Sequence, residues 1–67
     1  MLRISLNGIE HRVPAATSVA VLLTQNGYVN RRVAVEINQE IVPKGTHAQR
    51  LLEDGDRVEI VHALGGG

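Results

Sequence analysis

The chain of 67 residues contains no cysteine, tryptophan or phenylalanine, and Tyr28 is its only aromatic side chain. Without cysteine there is no disulfide, no thiol nucleophile, no zinc-thiolate centre and no iron-sulfur ligation, which suits a reducing compartment. One aromatic ring cannot build the stacking platform that single-strand nucleic-acid binders need. Charge of neither sign predominates: seven basic residues balance seven acidic ones. The arginines (Arg3, Arg12, Arg31, Arg32, Arg50, Arg57) are dispersed and form no stripe that could track phosphates. No apolar run approaches the ~20 residues of a membrane span, and Met1-Leu2-Arg3-Ile4 alternates where a signal peptide would be uniformly apolar. The expectation is a cytoplasmic chain that begins at Met1 and has neither nucleic acid nor membrane as a partner.

A chain this short is one unit with no room for a second, and a domain of its size buries only ~60% of its unfolded-chain surface. Leu2 to Asn7 alternates apolar Leu2, Ile4 and Leu6 with polar residues, the period of a strand with one buried face. Asn7-Gly8 is a strong hairpin signal because both residues accept positive φ, so Ile9 to Val13 is expected to return antiparallel. Pro14 ends that strand, and Thr17 or Ser18 can cap a short helix whose Val19, Leu22 and Leu23 share one face. Asn26-Gly27 supplies its exit. Val33 to Ile37 reads as a third strand, Asn38-Gln39 as a turn, and Ile41-Val42 as a brief strand closed by Pro43. Thr46 is expected to cap one more helical turn through Arg50, with Leu51 and Leu52 plugging the core beneath it. Asp54-Gly55-Asp56 is a tight turn into a last strand, Arg57 to Leu64, with Val58 and Ile60 on one face and Arg57 and Glu59 on the other.

This order implies an α+β fold of the β-grasp (ubiquitin-like) type. One main helix packs across a mixed sheet of four to five strands, with the first and last strands parallel at the centre. Residues 1–64 form the domain and 65–67 a flexible glycine tail. The expected core is Leu2, Ile4, Leu6, Val13, Val19, Leu22, Leu23, Val35, Leu52, Val58 and Ile60.

The ending Gly65-Gly66-Gly67 is the feature that packing explains least, because glycine loses the most freedom on ordering and brings no side chain to bury. A frayed terminus is the plain reading. The functional reading is that an extended tail without side chains threads a narrow channel in a partner enzyme and presents the Gly67 carboxylate. Adenylation by ATP would turn that carboxylate into a mixed anhydride, and a sulfur nucleophile displacing AMP would leave a thiocarboxylate. Such a carrier holds no bound cofactor, since the ATP is consumed by the partner. It also needs no catalytic residue of its own, and the chain offers no persuasive one. Ser5 and Ser18 sit in a strand and at a helix start, and the turn glycines match no phosphate-binding loop.

The histidines His11, His47 and His62 are too dispersed for a local ligand motif, so no metal is expected. His11, on the inward parity of its strand, reads as a rim or hydrogen-bonded residue, and His62 as either an edge-of-core residue or a partner contact. The run Glu53, Asp54 and Asp56 lacks the length and spacing of a calcium loop and reads as a solvated turn. Val61 is an outward apolar residue near the tail, either ordinary or part of a docking patch.

Several segments together resemble the ThiS sulfur carriers of thiamine thiazole synthesis: Asn7-Gly8, Val35-Glu36 with Asn38, Ile41-Val42-Pro43, Asp54-Gly55-Asp56, and Val58-Glu59-Ile60-Val61-His62 running into Gly65-Gly66-Gly67. The likeness covers essentially the whole chain. It implies a β-grasp fold, an adenylating enzyme related to ubiquitin activators, sulfur arriving from a cysteine desulfurase persulfide, and thiazole synthase as the sulfur acceptor. It carries the function to Gly66 and Gly67, with Gly67 as the acyl site. Val61, His62, Leu64, Gly65 and Gly66 are the residues expected to touch a partner. The small subunit of molybdopterin synthase, with a similar fold and Gly-Gly end, is the nearest alternative, together with other thiocarboxylate carriers. A non-covalent ubiquitin-like interaction module is another. Conjugation to lysine would use the same adenylate.

Overall fold

Alternation along four segments and a two-residue turn after two of them produce a five-stranded sheet in the order β2-β1-β5-β3-β4. The strands are β1 (Leu2–Leu6), β2 (Ile9–Val13), β3 (Val33–Ile37), β4 (Glu40–Val42) and β5 (Arg57–His62), and the helix α1 spans Val19–Gln25. The structure is a computed structural model and describes residues 1–62. The expected continuation of the last strand through Leu64, and the tail 65–67, lie outside the described residues.

Both hairpins close as their turn residues dictate. Leu6 pairs with Ile9 across Asn7 (φ +50°) and Gly8 (φ +85°), and Ile37 pairs with Glu40 across Asn38 (φ +53°) and Gln39 (φ +70°). Two successive left-handed residues make the turn whose twist matches that of the flanking strands. β5 lies between them, parallel to β1 (Ser5 opposite Arg57, Leu6 opposite Val58) and antiparallel to β3 from Ile37–Val58 to Val33–His62. The parallel pairing at the centre of the sheet is the one expected of a β-grasp.

Ser18, and not Thr17, caps α1: its Oγ accepts from the Val21 N–H at 3.1 Å, while the Thr17 hydroxyl donates to the Pro14 carbonyl. The other free N–H groups of the first turn are taken by the segment before β5, Val19 donating to the Arg50 carbonyl and Ala20 to that of His47, both at 2.9 Å. The helix stops in a Schellman arrangement, with the Gly27 N–H on Thr24 and the Tyr28 N–H on Leu23.

Among the described residues ten apolar side chains form the core: Ile4, Leu6, Val13, Val19, Leu22, Val35, Ile37, Leu52, Val58 and Ile60. Ile4, Val19, Leu22, Val35 and Val58 are at most 2% exposed, each contributing ~1.5–3 kcal/mol of apolar burial. Ile37 belongs to this set because it pairs with central Val58, and it was missing from the expected core. Leu2 and Leu23 are only half-buried, lying at the start of β1 and the rim of α1 against the core. Leu51 does not plug the core: it is 48% exposed, because it makes a bridge to Ser18 at the surface while Leu52 alone turns inward. The one-turn 3-10 helix covers Lys44–Thr46, and Thr46 does not cap it: its hydroxyl donates to the Pro43 carbonyl, and the turn runs on to Arg50 through the Thr46 carbonyl.

The acidic turn before β5 is not wholly solvated. Asp56 is 5% exposed and accepts from the Glu53 N–H (2.9 Å) and Asn38 Nδ2 (3.1 Å), with the Arg50 guanidinium 3.6 Å away. Its carboxylate thereby ties three segments together, a role that a Glu-Asp-Gly-Asp string does not announce. Asp56→Ala leaves both donors without a partner and is expected to cost about 2–3 kcal/mol. Exposed Glu53→Ala should stay within about 0.5 kcal/mol. Urea denaturation at neutral pH checks both, through a lowered midpoint at unchanged slope for the first and no displacement for the second.

Candidate functional site

β5 is the strand that leads to the glycine ending, and its environment defines the candidate site. Val58 and Ile60 face the core at 1% and 6% exposure while Arg57, Glu59 and Val61 face the open side of the sheet. The ladder with β1 ends at Val58, yet β5 runs on for four more residues. Asn7 covers the first part of that overhang. Its backbone N–H donates to the Val58 carbonyl (2.9 Å), its Oδ1 accepts from the Ile60 N–H (2.7 Å), and its Nδ2 donates to the Ile60 carbonyl (3.3 Å). The side-chain amide thus does for Ile60 what a peptide group of a longer β1 would have done. Asn38 acts the same way at the other end, its Oδ1 accepting from the Arg57 N–H and its own N–H donating to the Arg57 carbonyl, both at 2.9 Å.

Beyond Ile60, β3 alone accompanies the strand among the described residues. Val61 stands opposite Ala34 and is 53% exposed, so the outward apolar position expected from the pattern is observed. His62, opposite Val33, is exposed on the helix side, with its ring 6.3 Å from that of Tyr28 at an interplanar angle of 52°. Of the expected site residues, Val61 and His62 lie at the end of the central strand, on opposite faces of the sheet. Leu64, Gly65, Gly66 and Gly67 lie outside the described residues.

The other titratable groups are scattered. The inward face of β2 passes from exposed Ile9 through half-buried His11 to buried Val13, which makes His11 a rim residue of the sheet edge. His47 is buried, and its Nε2–H donates to the Val42 carbonyl at 3.0 Å, fixing the 3-10 turn on β4. Among the described residues no three His, Asp or Glu side chains are grouped as a metal-ligand set. Ser18 Oγ is engaged in the helix cap and Ser5 lies within β1. Among the described residues no helix is long and apolar enough to cross a membrane.

The comparisons with known proteins bear on the same strand and its continuation. A profile described as the ThiS family matches residues 4–67. The chain belongs to the ThiS family. Among curated relatives it is 46% identical over 66 residues to a thiazole synthase of Paramagnetospirillum magneticum, covering 98% of this chain and 20% of that protein. It is 32% identical to the sulfur carrier protein ThiS of Escherichia coli, covering 98% of this chain and all of that one. The chain therefore spans about a fifth of the length of the thiazole synthases it matches and the full length of the carrier. Among solved structures, the thiamine biosynthesis protein ThiS from Geobacter metallireducens superposes with a TM-score of 0.85 at 28% identity, covering 98% of this chain and 100% of that one. The five-stranded sheet with its crossing helix is thus a ThiS-type β-grasp.

The residues that sequence reasoning missed are the amide functions of Asn7 and Asn38. Asn-Gly and Asn-Gln announce turns, but nothing local reveals that the Asn7 side chain pairs with a residue 53 positions away. Asn7→Gly keeps the left-handed turn while removing the side-chain clamp, and is expected to cost about 1–2 kcal/mol. Gln39→Gly, at the other left-handed non-glycine turn position in β3–β4, relieves backbone strain and should be neutral or stabilising. Thermal unfolding of the two variants separates the clamp from the turn.

Proposed function

We propose that this ThiS-family chain is a sulfur carrier for thiazole formation in thiamine synthesis, acting through the carboxylate of Gly67. The observation that carries the proposal is the family match, which runs from the first strand through Gly67 itself. The geometry is compatible: β5 is held on both sides through Ile60, and the glycine ending follows in the sequence after Val61, His62, Ala63 and Leu64.

In the proposed cycle the Gly67 carboxylate attacks the α-phosphorus of ATP on an adenylating enzyme, forming the acyl-adenylate and releasing pyrophosphate. A persulfide R–S–SH from a desulfurase attacks the acyl carbon and AMP leaves, giving an acyl disulfide. A second thiol cleaves the S–S bond, so that the two thiols end as a disulfide and the chain ends as a thiocarboxylate. Thiazole synthase accepts the sulfur. Glycine suits each step, because a Cβ near the reacting carbonyl would narrow access to it and the absence of side chains lets the tail lie in a confined channel. A ThiS-like segment occurring within proteins described as thiazole synthases supports the pairing of carrier and acceptor over the molybdopterin alternative. Catalysis resides in the partners, and the chain acts as their co-substrate, with no cofactor of its own.

Incubating the chain with ATP, the host adenylating enzyme and a sulfur donor is expected to raise its mass by the exchange of one oxygen for sulfur, located on the C-terminal peptide at Gly67. Transfer should then occur to thiazole synthase and not to a molybdopterin precursor. Deleting Gly66 and Gly67 should abolish the mass change and leave the thermal transition in place, since glycine brings no side chain to bury. An unchanged mass with an active enzyme leaves the non-covalent interaction module as the better account.

A further inference from the structure

The fold gathers basic residues that lie apart in the sequence. A cavity of about 380 Å³ opens alongside α1, on the helix side of the sheet, and Arg31, Arg32 and Lys44 line it together with Leu23, Tyr28 and Val33. Three of the chain's seven basic residues thus meet at one place, and no aspartate or glutamate lines it, although acids and bases balance over the whole sequence. The ion pairs among the described residues are Arg3–Glu10, Arg12–Glu10 and Arg50–Asp56, so none of them neutralises these three cations. Both segments that carry the cations are tied to α1. The helix exit, where the Tyr28 N–H donates to the Leu23 carbonyl, leads into a turn closed by the Arg31 N–H on the Tyr28 carbonyl, with Asn30 at φ +61°. On the other wall, the His47 N–H closes the 3-10 turn on the Lys44 carbonyl, and the His47 carbonyl in turn accepts from the Ala20 N–H of α1.

We infer that this cavity is a binding site for a small organic phosphate, with the phosphate against Arg31, Arg32 and Lys44 and the apolar body against Leu23, Tyr28 and Val33. The cations select the charge. Guanidinium groups match phosphate oxygens with paired N–H donors, and the ammonium of Lys44 adds a point charge, so a dianion gains more here than a single carboxylate does. The apolar lining selects the body. Leu23, Tyr28 and Val33 are half-buried and packed against the core; a bare phosphate ion would leave them facing water, whereas a ring or short alkyl chain covers them. The volume falls within the ~300–1,000 Å³ of small-molecule clefts. One tyrosine ring can stack on one ring of a ligand and not on a run of bases, which separates this site from a nucleic-acid channel. The inference goes beyond the carrier reading and does not depend on it.

Titration of the full, isotope-labelled chain followed by NMR tests the site, with phenyl phosphate as the probe and inorganic phosphate and phenol in parallel. Phenyl phosphate is expected to bind with a Kd on the order of 1 mM or tighter, shifting the amides of residues 28–33 and 44–47 before any others. Inorganic phosphate lacks the body and phenol the charge, so each should bind about tenfold more weakly. Arg31, Arg32 and Lys44 are exposed. Arg31→Gln, Arg32→Gln and Lys44→Gln should therefore each weaken phenyl phosphate about fivefold or more at an unchanged melting temperature. Arg12→Gln, on the edge strand β2, should leave binding as it is. Equal weakening by Arg12→Gln, or shifts spread over the whole surface, would reduce the effect to diffuse charge and overturn the site. Equally strong shifts from an Asp-Glu peptide overturn it by assigning the cavity to an acidic protein. A gain of about tenfold in phenyl phosphate affinity on deleting Gly66 and Gly67 overturns it by assigning the cavity to the chain's own carboxylate. No shift at millimolar phenyl phosphate overturns it outright, and each of these results leaves the carrier reading standing.

Discussion

Two asparagine side chains in left-handed turns hold the central strand of this protein at its ends, and the rest of the fold is organised around that strand. Asn38 fixes Arg57 at the start of β5 and Asn7 fixes Ile60 near its end. Each asparagine serves twice, since the same residue reverses a hairpin and then presents its amide as a substitute peptide group to a strand far away in sequence. Asparagine suits this because it accepts positive φ more readily than most residues and carries both a donor and an acceptor. In a domain this small, with ten buried apolar residues in its core among those described, such polar ties supply specificity of register that the core alone would leave loose.

Holding β5 firmly has a functional consequence. The strand pairs with β1 over only Arg57 and Val58, yet Asn7 carries the support on to Ile60 and β3 carries it to His62. The glycine ending therefore follows a strand anchored at the middle of the sheet. In the proposed cycle, a partner that takes the tail meets a strand held through His62, so less conformational freedom of that strand is lost when the complex forms. The chemistry of the proposed cycle is supplied by partners, and the chain's own contribution is placement together with an end free of side chains.

Much of this was legible in the chain itself. Alternation in Leu2–Leu6 and Val33–Ile37, the Asn-Gly and Asn-Gln turns, and the apolar face of Val19, Leu22 and Leu23 gave the element order and the β-grasp topology. Local pattern failed where a residue's role depends on long-range contact. Asp56 looks like one more turn acid but is buried as the acceptor for Glu53 and Asn38. Leu51 and Leu52 are chemically identical neighbours, and only the bridge to Ser18 decides that the first is exposed. Ala16 takes φ +69° in the turn between β2 and α1, a conformation that nothing in an alanine announces. At the site, Val61 was found from parity, whereas the cover that Asn7 gives Ile60 required the register of β1 on β5.

Native-state hydrogen exchange resolved by residue tests the central claim, that β5 is the most firmly held element up to the point where it leads into the tail. The account predicts that the amides of Val58 and Ile60 exchange only through global unfolding, as slowly as any in the chain, and that Asn7→Gly selectively speeds Ile60. Exchange of Ile60 in the wild type as fast as that of the edge strand β4 would contradict it.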